Sequence, residues 1–251
     1  MVLLVDIGNS NIVFGFSNGK EIVRTFRFKT FTDKTSDEYY ILIKTMLDMY
    51  SIKDVIISSV VPIVTSALKK LFKSYFSIDA HVLGPGIKTG IQLKVDDPKT
   101  VGADIICDCA GAMVLCDEAI IVDLGTASKY IYVKKNVFLG CAIAPGVAVS
   151  MKAMVSSAAL LPNIELQTPK KVLGTSTIPC MQSGVVFGSA SMVDGMVDRI
   201  KEEINNKDVK VIATGGLAGL IAPLCKNEII YKPTLTIDGL LAIYNKNKCE
   251  A

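Results

Sequence analysis

The first hundred residues alternate between apolar runs and polar turns, and this pattern predicts elements in the order βββαβαβ. Apolar runs over Val2–Ile7 and Ile12–Phe16 flank a short polar turn. A third strand, Glu21–Phe28, follows Asn18-Gly19, a dipeptide typical of hairpins. The other elements predicted here are a helix beginning at Thr35 or Ser36, a strand over Val55–Val61, a helix over Ile63–Phe76 opened by Pro62, and a strand over Ala80–Leu83.

The second half resembles the first in its order of elements, after an apolar helix over Ala103–Leu115. The predicted elements are strands over Ala119–Asp123, Tyr130–Val133 and Val137–Ile143, a helix over Val147–Leu160, a long helix from about Ile178 to Ile204, a strand over Val209–Ala213, a short helix after Gly216, and a final helix over Leu235–Tyr244. This repetition predicts two domains, over residues 1–116 and 117–251, with fraying within residues 245–251.

Composition narrows the class of protein. Half of the 251 residues are hydrophobic, which predicts a compact core, yet no apolar run approaches the ~20 residues of a membrane-spanning helix. Asp6 stands too near the start for a signal-peptide core, so we expect a cytoplasmic protein with no membrane partner.

The net charge of +3 is too small and dispersed to favour nucleic acid. The single histidine, His81, excludes a multi-histidine metal site, and the seven cysteines are expected to be buried thiols.

One motif occurs twice: VDIGNSN over residues 5–11 and VDLGTAS over residues 122–128. Each copy lies between two predicted strands, so each predicts a tight glycine turn with backbone N–H groups beside one carboxylate. Such a turn suits a phosphate group and a divalent ion, although a single copy would be read as an ordinary hairpin. Two copies predict two related domains that face one nucleotide. The candidate residues are Asp6, Gly8, Asn9, Ser10 and Asn11 in the first copy, and Asp123, Gly125, Thr126 and Ser128 in the second.

Two further segments carry candidate chemistry. Thr214-Gly215-Gly216 directly follows a predicted strand, and its glycines would let the backbone approach a flat ligand. Gly102-Ala103-Asp104 opens a predicted helix. The helix dipole alone favours an aspartate there, and the functional alternative is a general base that accepts a hydroxyl proton during phosphoryl transfer. The chain contains no G-x-G-x-x-G after a strand and no G-x-x-x-x-G-K-[ST], which argues against Rossmann and Walker-type sites.

These motifs together resemble one family, the type III pantothenate kinases, in the superfamily of actin, hexokinase, acetate kinase and the seventy-kilodalton chaperones. Further matches, in chain order, are Gly84-Pro85-Gly86-x-x-Thr89-Gly90, Asp97-Pro98, Ile143-Ala144-Pro145-Gly146, Met181-Gln182-Ser183-Gly184, Val193-Asp194-Gly195 and Ala213–Leu217. The resemblance implies an α/β fold of two duplicated ribonuclease-H-like (actin-like) domains. Each would be a mixed five-stranded sheet flanked by helices, with an ATP cleft between the domains.

The resemblance also implies an activity and the residues that perform it. The chain would phosphorylate pantothenate with ATP to give 4′-phosphopantothenate, the first step of coenzyme A biosynthesis. Asp6 and Asp123 would hold Mg²⁺ and the ATP phosphates, Thr214 to Gly216 would border adenosine, and Asp104 would be the catalytic base. The residues implied near pantothenate are Gly102, Ala103, Asp104, Thr175 and Thr177. Family members are also typically homodimers, and many need a monovalent cation, K⁺ or NH₄⁺, near the phosphates.

The long helix is the candidate dimer seam, and core packing within its own domain is the alternative. Its apolar side comprises Met181, Val185, Met192, Val193, Met196, Val197 and Ile200.

The chain departs from the family pattern at four positions. Ile105 replaces an arginine that helps hold the acidic end of pantothenate, and Val95 replaces a tyrosine. Lys129 stands where a small polar residue is usual, and Asp108 where asparagine is common. These departures leave two alternatives open: a kinase of a different small alcohol, or a catalytically impaired nucleotide-binding paralogue with a regulatory role.

Overall fold

The computed structural model describes residues 1–248. The strands are β1 (Val2–Ile7), β2 (Asn11–Ser17), β3 (Ile22–Lys29), β4 (Asp54–Ser59), β5 (His81–Val82), β6 (Gln92–Leu93), β7 (Glu118–Leu124), β8 (Ala127–Lys134), β9 (Val137–Pro145), β10 (Lys210–Thr214) and β11 (Ile230–Tyr231). The helices are α1 (Ser36–Leu47), α2 (Pro62–Phe76), α3 (Ala103–Leu115), α4 (Val147–Ser157), α5 (Thr177–Glu203), α6 (Ala218–Ile221) and α7 (Leu235–Lys248), with 3₁₀ turns at Pro98–Thr100 and Ala222–Leu224.

The described chain divides into two compact units. The first comprises residues 1–115 and 235–248, and the second comprises residues 116–234. The predicted domains, 1–116 and 117–251, differ from this division in one element, because α7 packs in the first unit rather than the second. The predicted fraying covers residues 245–251. Within this range, residues 245–248 belong to α7, and residues 249–251 lie outside the described part of the chain.

The sheet of the first unit is mixed and has the strand order β3-β2-β1-β4-β5. The first three strands are antiparallel, whereas β4 pairs in parallel with β1 and β5 pairs in parallel with β4. Val2 to Val5 of β1 are all buried, as expected for a central strand covered on both faces. The helix α1 begins at the predicted place, with a capping box in which Thr35 and Glu38 exchange hydrogen bonds.

The second unit repeats this topology with its own five strands, in the order β11-β10-β7-β8-β9. Strands β7, β8 and β9 are antiparallel, and β10 pairs in parallel with β7 and β11 in parallel with β10. The central strand β7 buries Ala119 to Val122, as β1 does with its own apolar run. The predicted fold of two ribonuclease-H-like units with mixed sheets flanked by helices is confirmed.

One expectation about buried side chains is corrected by the structure. Cys107 and Cys109 are buried, but Cys141 and Cys180 are exposed, so the cysteines are not uniformly internal. Part of the apolar side of α5, including Val193 and Val197, lies within the core of its own unit. The candidate dimer seam on this helix stays a prediction. Over residues 1–248, no helix combines the length and the apolar character needed to cross a membrane.

The helix α7 belongs to the first unit because two glycines let it approach α3 closely. A Cβ on Gly239 would overlap the carbonyl oxygen of Cys107, and one on Gly111 would overlap the carbonyl oxygen of Leu235. The Tyr244 hydroxyl of the same helix donates to Asp54 of β4 at 2.8 Å. These contacts join residues far apart in sequence, so local patterns carry no sign of them.

We expect Gly239→Ala to destabilise the protein by about 1–3 kcal/mol or more, because overpacking forces two helices apart. The matched control is Gly188→Ala in α5, where the added Cβ meets no atom within 4 Å. Since alanine is the better helix former, this control is expected to be neutral or stabilising by up to about 1 kcal/mol. Urea denaturation followed by circular dichroism measures both changes. Equal stability of the two variants would contradict the packing argument.

Candidate active site

The first aspartate turn projects Asp6 from the carboxyl end of the central strand β1. Asp6 lies opposite Ser58 in the parallel pairing of β1 with β4, and the Ser58 hydroxyl donates to Asp6 Oδ1 at 3.0 Å. The turn closes through the Gly8 N–H, which donates to the Asn11 carbonyl at 3.0 Å. A Cβ on Gly8 would lie 3.2 Å from that same oxygen, so glycine suits this tight turn.

The end of β3 holds this turn in place. The Thr30 hydroxyl donates to the Gly8 carbonyl at 2.7 Å, and the Thr30 N–H donates to the Ser10 carbonyl at 3.0 Å. Asn9 and Ser10 at the tip of the turn are exposed. The turn is therefore held by hydrogen bonds from Thr30 and exposed to solvent at its tip. This arrangement suits an anion bound by backbone N–H groups.

The start of α3 brings further carboxylates to the same unit. Asp104 lies in the first turn, where its Oδ1 accepts a hydrogen bond from the Ile105 N–H at 2.9 Å. A Cβ on Gly102 would overlap that oxygen, so the glycine permits this orientation of the carboxylate. Asp108, one turn further on, accepts a hydrogen bond from the Thr236 hydroxyl at 2.6 Å.

Cys107 links Asp6 with α3. Burial raises the pKa of the Cys107 thiol well above its usual value, and the charge of Asp6 raises it further, followed by smaller contributions from Asp108 and Asp104. A hydrogen bond with Ser58 lowers this pKa in part. The thiol therefore stays protonated and is not a nucleophile. The structure thus places Asp6 near α3, a proximity that the sequence alone did not indicate.

The second aspartate turn repeats the first in the other unit. Asp123 lies near the end of β7, and the Gly125 N–H closes the turn by donating to the Ala127 carbonyl at 3.1 Å. The Gly146 N–H donates to the Thr126 carbonyl at 3.2 Å, and a Cβ on Gly146 would overlap that carbonyl. The turn therefore rests directly on the backbone that leads into α4.

Two predicted phosphate-binding residues of this turn have different environments. Thr126 is exposed at the turn, whereas Ser128 is buried and its hydroxyl donates to the Pro145 carbonyl at 3.3 Å. The hydroxyl of Ser128 thus fixes β8 to β9.

Gly215 brings the third motif against Asp123. Thr214, the last residue of β10, lies opposite Asp123 in the parallel pairing with β7. Gly215 follows with a φ of +95°, and a Cβ there would lie 2.5 Å from Asp123 Oδ1. The Leu217 N–H then donates to the Leu124 carbonyl at 3.2 Å. The two predicted motifs therefore form one continuous surface within the second unit.

Lys129 forms an ion pair with Asp123 that sequence reasoning missed. The Lys129 Nζ lies 2.6 Å from Asp123 Oδ2, and the two side chains are only 11% and 13% exposed. The sequence contains a signal for this ion pair, because Lys129 follows the turn by two residues and lies on a strand antiparallel to β7. Finding it required the register, which places Lys129 directly opposite Asp123.

The two aspartates fit a metal ion differently. Asp6 offers a carboxylate oriented by a neutral hydroxyl, which suits Mg²⁺, an ion that binds one or two carboxylates together with substrate phosphates and water. Asp123 fits poorly, because its Oδ2 already contacts an ammonium group. Within residues 1–248, no three or more His, Cys, Asp or Glu side chains are grouped to hold a metal. Any metal site here would therefore depend on the phosphates for its other ligands.

The predicted acceptor-binding residues lie in two places. Gly102 and Ala103 lead into α3 beside Asp104, whereas Thr175 and Thr177 are exposed at the start of α5. Ile105, where the family resemblance predicts an arginine, is only 7% exposed. An apolar side chain there makes no charge-assisted hydrogen bond to a carboxylate.

The duplicated topology, with one aspartate turn in each unit, defines the fold as ribonuclease-H-like (actin-like). A solved structure shares this fold: (R)-2-hydroxyglutaryl-CoA dehydratase component A of Acidaminococcus fermentans matches with a TM-score of 0.56 and 17% identity. The match covers 100% of this chain and 99% of that one.

Closer relatives identify the family. The family model for type III pantothenate kinase matches residues 2–199. A type III pantothenate kinase of Acholeplasma laidlawii is 45% identical over 98% of this chain and 99% of its own length. Another, from Citrifermentans bemidjiense, is 45% identical over 99% of this chain and 100% of its own length. The chain belongs to the type III pantothenate kinase family.

We expect Gly215→Ala to weaken ATP binding at least about tenfold, because the added Cβ would overlap both the Asp123 carboxylate and the Leu124 backbone and so displace the turn. Gly19→Ala is the matched control, since Gly19 has a φ of +93° but an added Cβ there would meet no atom within 4 Å. Both variants carry the same backbone strain of about 1–2 kcal/mol, and only one carries the clash. Isothermal titration calorimetry with ATP measures the difference. Similar affinities in the two variants would show that the contact with Asp123 is unimportant.

Proposed function

We propose that this chain is an ATP-dependent kinase that phosphorylates pantothenate to 4′-phosphopantothenate, the first step of coenzyme A biosynthesis. Membership of the type III pantothenate kinase family carries this proposal. The duplicated aspartate turns support it, because each sets an aspartate beside a tight glycine turn at the end of a buried central strand. The retained Asp6, Asp104 and Asp123 favour a working enzyme over an impaired regulatory paralogue.

We further propose that both turns and Thr214 to Gly216 bind ATP, with Asp6 as the protein ligand of Mg²⁺. The ion would supply charge neutralisation on the phosphates during transfer. The residues assigned to the phosphates are Gly8, Asn9, Ser10, Asn11, Gly125 and Thr126. A monovalent cation, K⁺ or NH₄⁺, is the family's expected addition near the phosphates, and at the second turn it would meet the Lys129 ammonium.

Asp104 is proposed as the general base. Its carboxylate would accept the proton of the primary hydroxyl of pantothenate as that oxygen attacks the γ-phosphorus of ATP. The hydrogen bond from the Ile105 N–H fixes the orientation of the carboxylate, so the base is positioned before substrate arrives. Gly102 supports the same orientation by leaving room for Oδ1.

The acceptor end of the site differs from the family pattern at Ile105 and Val95. A buried isoleucine replaces a charged partner for the pantothenate carboxylate, and losing one such bond costs about 1.5–3 kcal/mol. We therefore propose pantothenate as the acceptor, with weaker binding than in arginine-bearing relatives. A smaller or uncharged alcohol is the second candidate that this observation favours.

A cytoplasmic homodimer is proposed as the working form. The segment between α4 and α5 and the start of α5 expose large apolar side chains, among them Leu160 at 94% and Leu173 at 84%. Val172 and Ile178 extend the same exposed set. An apolar surface of this kind supports self-association.

We expect Asp104→Asn to lower kcat at least about a hundredfold while ATP affinity stays near that of the wild type, since general-base contributions are typically 10²–10⁴-fold. A coupled ADP-release assay with pantothenate measures kcat, and calorimetry measures ATP binding. Asp37→Asn is the control, because Asp37 also lies in the first turn of a helix but outside the candidate site. Wild-type turnover by Asp104→Asn would refute the assignment of the base.

We expect pantothenate to exceed other small alcohols by at least about a hundredfold in kcat/KM, a preference that reflects transition-state binding. The same ADP-release assay, run across a panel of primary alcohols, measures this preference. A smaller or uncharged alcohol with the highest kcat/KM would favour the second candidate. Tight ATP binding without transfer to any acceptor would instead indicate the regulatory paralogue.

A further inference from the structure

Two lysines on β8 face carboxylates on β7, and they differ in their environments. Lys134 lies opposite Glu118, with Nζ 3.0 Å from Glu118 Oε2 and side-chain exposures of 44% and 19%. Lys129 lies opposite Asp123, with Nζ 2.6 Å from Oδ2 and exposures of 11% and 13%. The first is a solvent-screened cross-strand pair of low energetic weight. The second is desolvated and lies beside the phosphate-binding turn.

Both oxygens of the Asp123 carboxylate have close neighbours. Oδ1 lies against Gly215, where even a methyl group would come within 2.5 Å, and Oδ2 contacts the Lys129 ammonium. A metal ion or K⁺ at Oδ2 would have to share that oxygen with a positive charge a few ångströms away. Desolvation strengthens this repulsion, because the effective dielectric constant falls below that of water. The site therefore disfavours a second cation.

We propose that the Lys129 ammonium is a built-in cation of the second phosphate-binding turn, so that Asp123 binds no metal ion and catalysis needs no monovalent cation. This inference rests on the proposed kinase activity. A tethered ammonium supplies one positive charge at a fixed place, whatever the concentration of K⁺. It also suits polyphosphate, since an ammonium is a compact donor of three hydrogen bonds.

The contrasting interpretation is that Lys129 only stabilises the hairpin, as Lys134 does. The two interpretations differ in what happens when the ammonium is removed. If Lys129 is the built-in cation, Lys129→Thr leaves an anionic pocket that a free cation of similar charge can occupy. If it is a hairpin contact, the same change lowers stability without creating a response to K⁺.

The test compares wild type, Lys129→Thr, Lys129→Arg and the control Lys134→Thr. Pantothenate phosphorylation is measured with Mg-ATP in KCl and in choline chloride at equal ionic strength. We expect wild type, Lys129→Arg and Lys134→Thr to have KCl-to-choline rate ratios within about twofold of one, and Lys129→Thr a ratio of at least about ten. Lys129→Arg is judged only on its ratio, because arginine alters geometry while keeping the charge.

A second readout does not depend on turnover. Tl⁺, which replaces K⁺ in many sites, is titrated into each protein with a non-hydrolysable ATP analogue and followed by ²⁰⁵Tl NMR. We expect saturable binding to Lys129→Thr alone. Saturable Tl⁺ binding or strong KCl activation of the wild type would overturn the proposal, as would a Lys129→Thr enzyme that is fully active in choline.

The outcomes separate this inference from the proposed function. Should Lys129→Thr fail to fold, the wild type still decides, since KCl activation or Tl⁺ binding by the unaltered protein is enough to reject the built-in cation. If the wild type phosphorylates no pantothenate, the proposed function fails, while Tl⁺ binding still reports on Lys129.

Discussion

The positions of the two aspartate turns depend on parallel pairing at two buried central strands. β1 is buried along Val2 to Val5, so the first side chain able to meet solvent and ligand is Asp6 near its carboxyl end. β7 does the same for Asp123. Parallel neighbours run in the same direction, so the segments after β4 and β10 begin beside these carboxylates. The apolar core thus determines where the acidic groups lie.

This pairing also explains the close approach of Gly215 to the second turn. In the second unit the register brings Thr214 opposite Asp123, and Gly215 then occupies space where no other residue could fit without displacing Leu124 or the carboxylate. In the first unit the equivalent register brings Ser58 opposite Asp6. The group that lies against this carboxylate is therefore the Ser58 hydroxyl, whereas in the second unit it is the Gly215 backbone. The same topology therefore supports two different local chemistries.

Local sequence patterns predicted the elements whose bounds depend on neighbouring residues. The helix Ala103–Leu115 and the strand Val2–Ile7 have the bounds expected from apolar runs and helix-start residues. The two-residue strands β5, β6 and β11 are too short for periodicity to show, although an expectation over Ala80–Leu83 covered one of them. The placement of α7 depends on Gly111 meeting residues over a hundred positions later, which no window of sequence can contain.

The candidate site likewise contains residues that local patterns predict and a contact that depends on strand pairing. Motifs located Asp6, Asp104, Asp123 and Gly215, because each stands at a strand end or helix start that local patterns can find. The Lys129–Asp123 pair was missed, since opposite charges become partners only when the hairpin register is known. That pair makes the duplicated turns electrostatically unequal. The Ser58 hydroxyl orients Asp6 without adding charge, whereas an ammonium compensates Asp123. A divalent ion held together with the nucleotide phosphates is therefore better accommodated at the first turn, and the second turn keeps its positive charge whatever ions surround the protein.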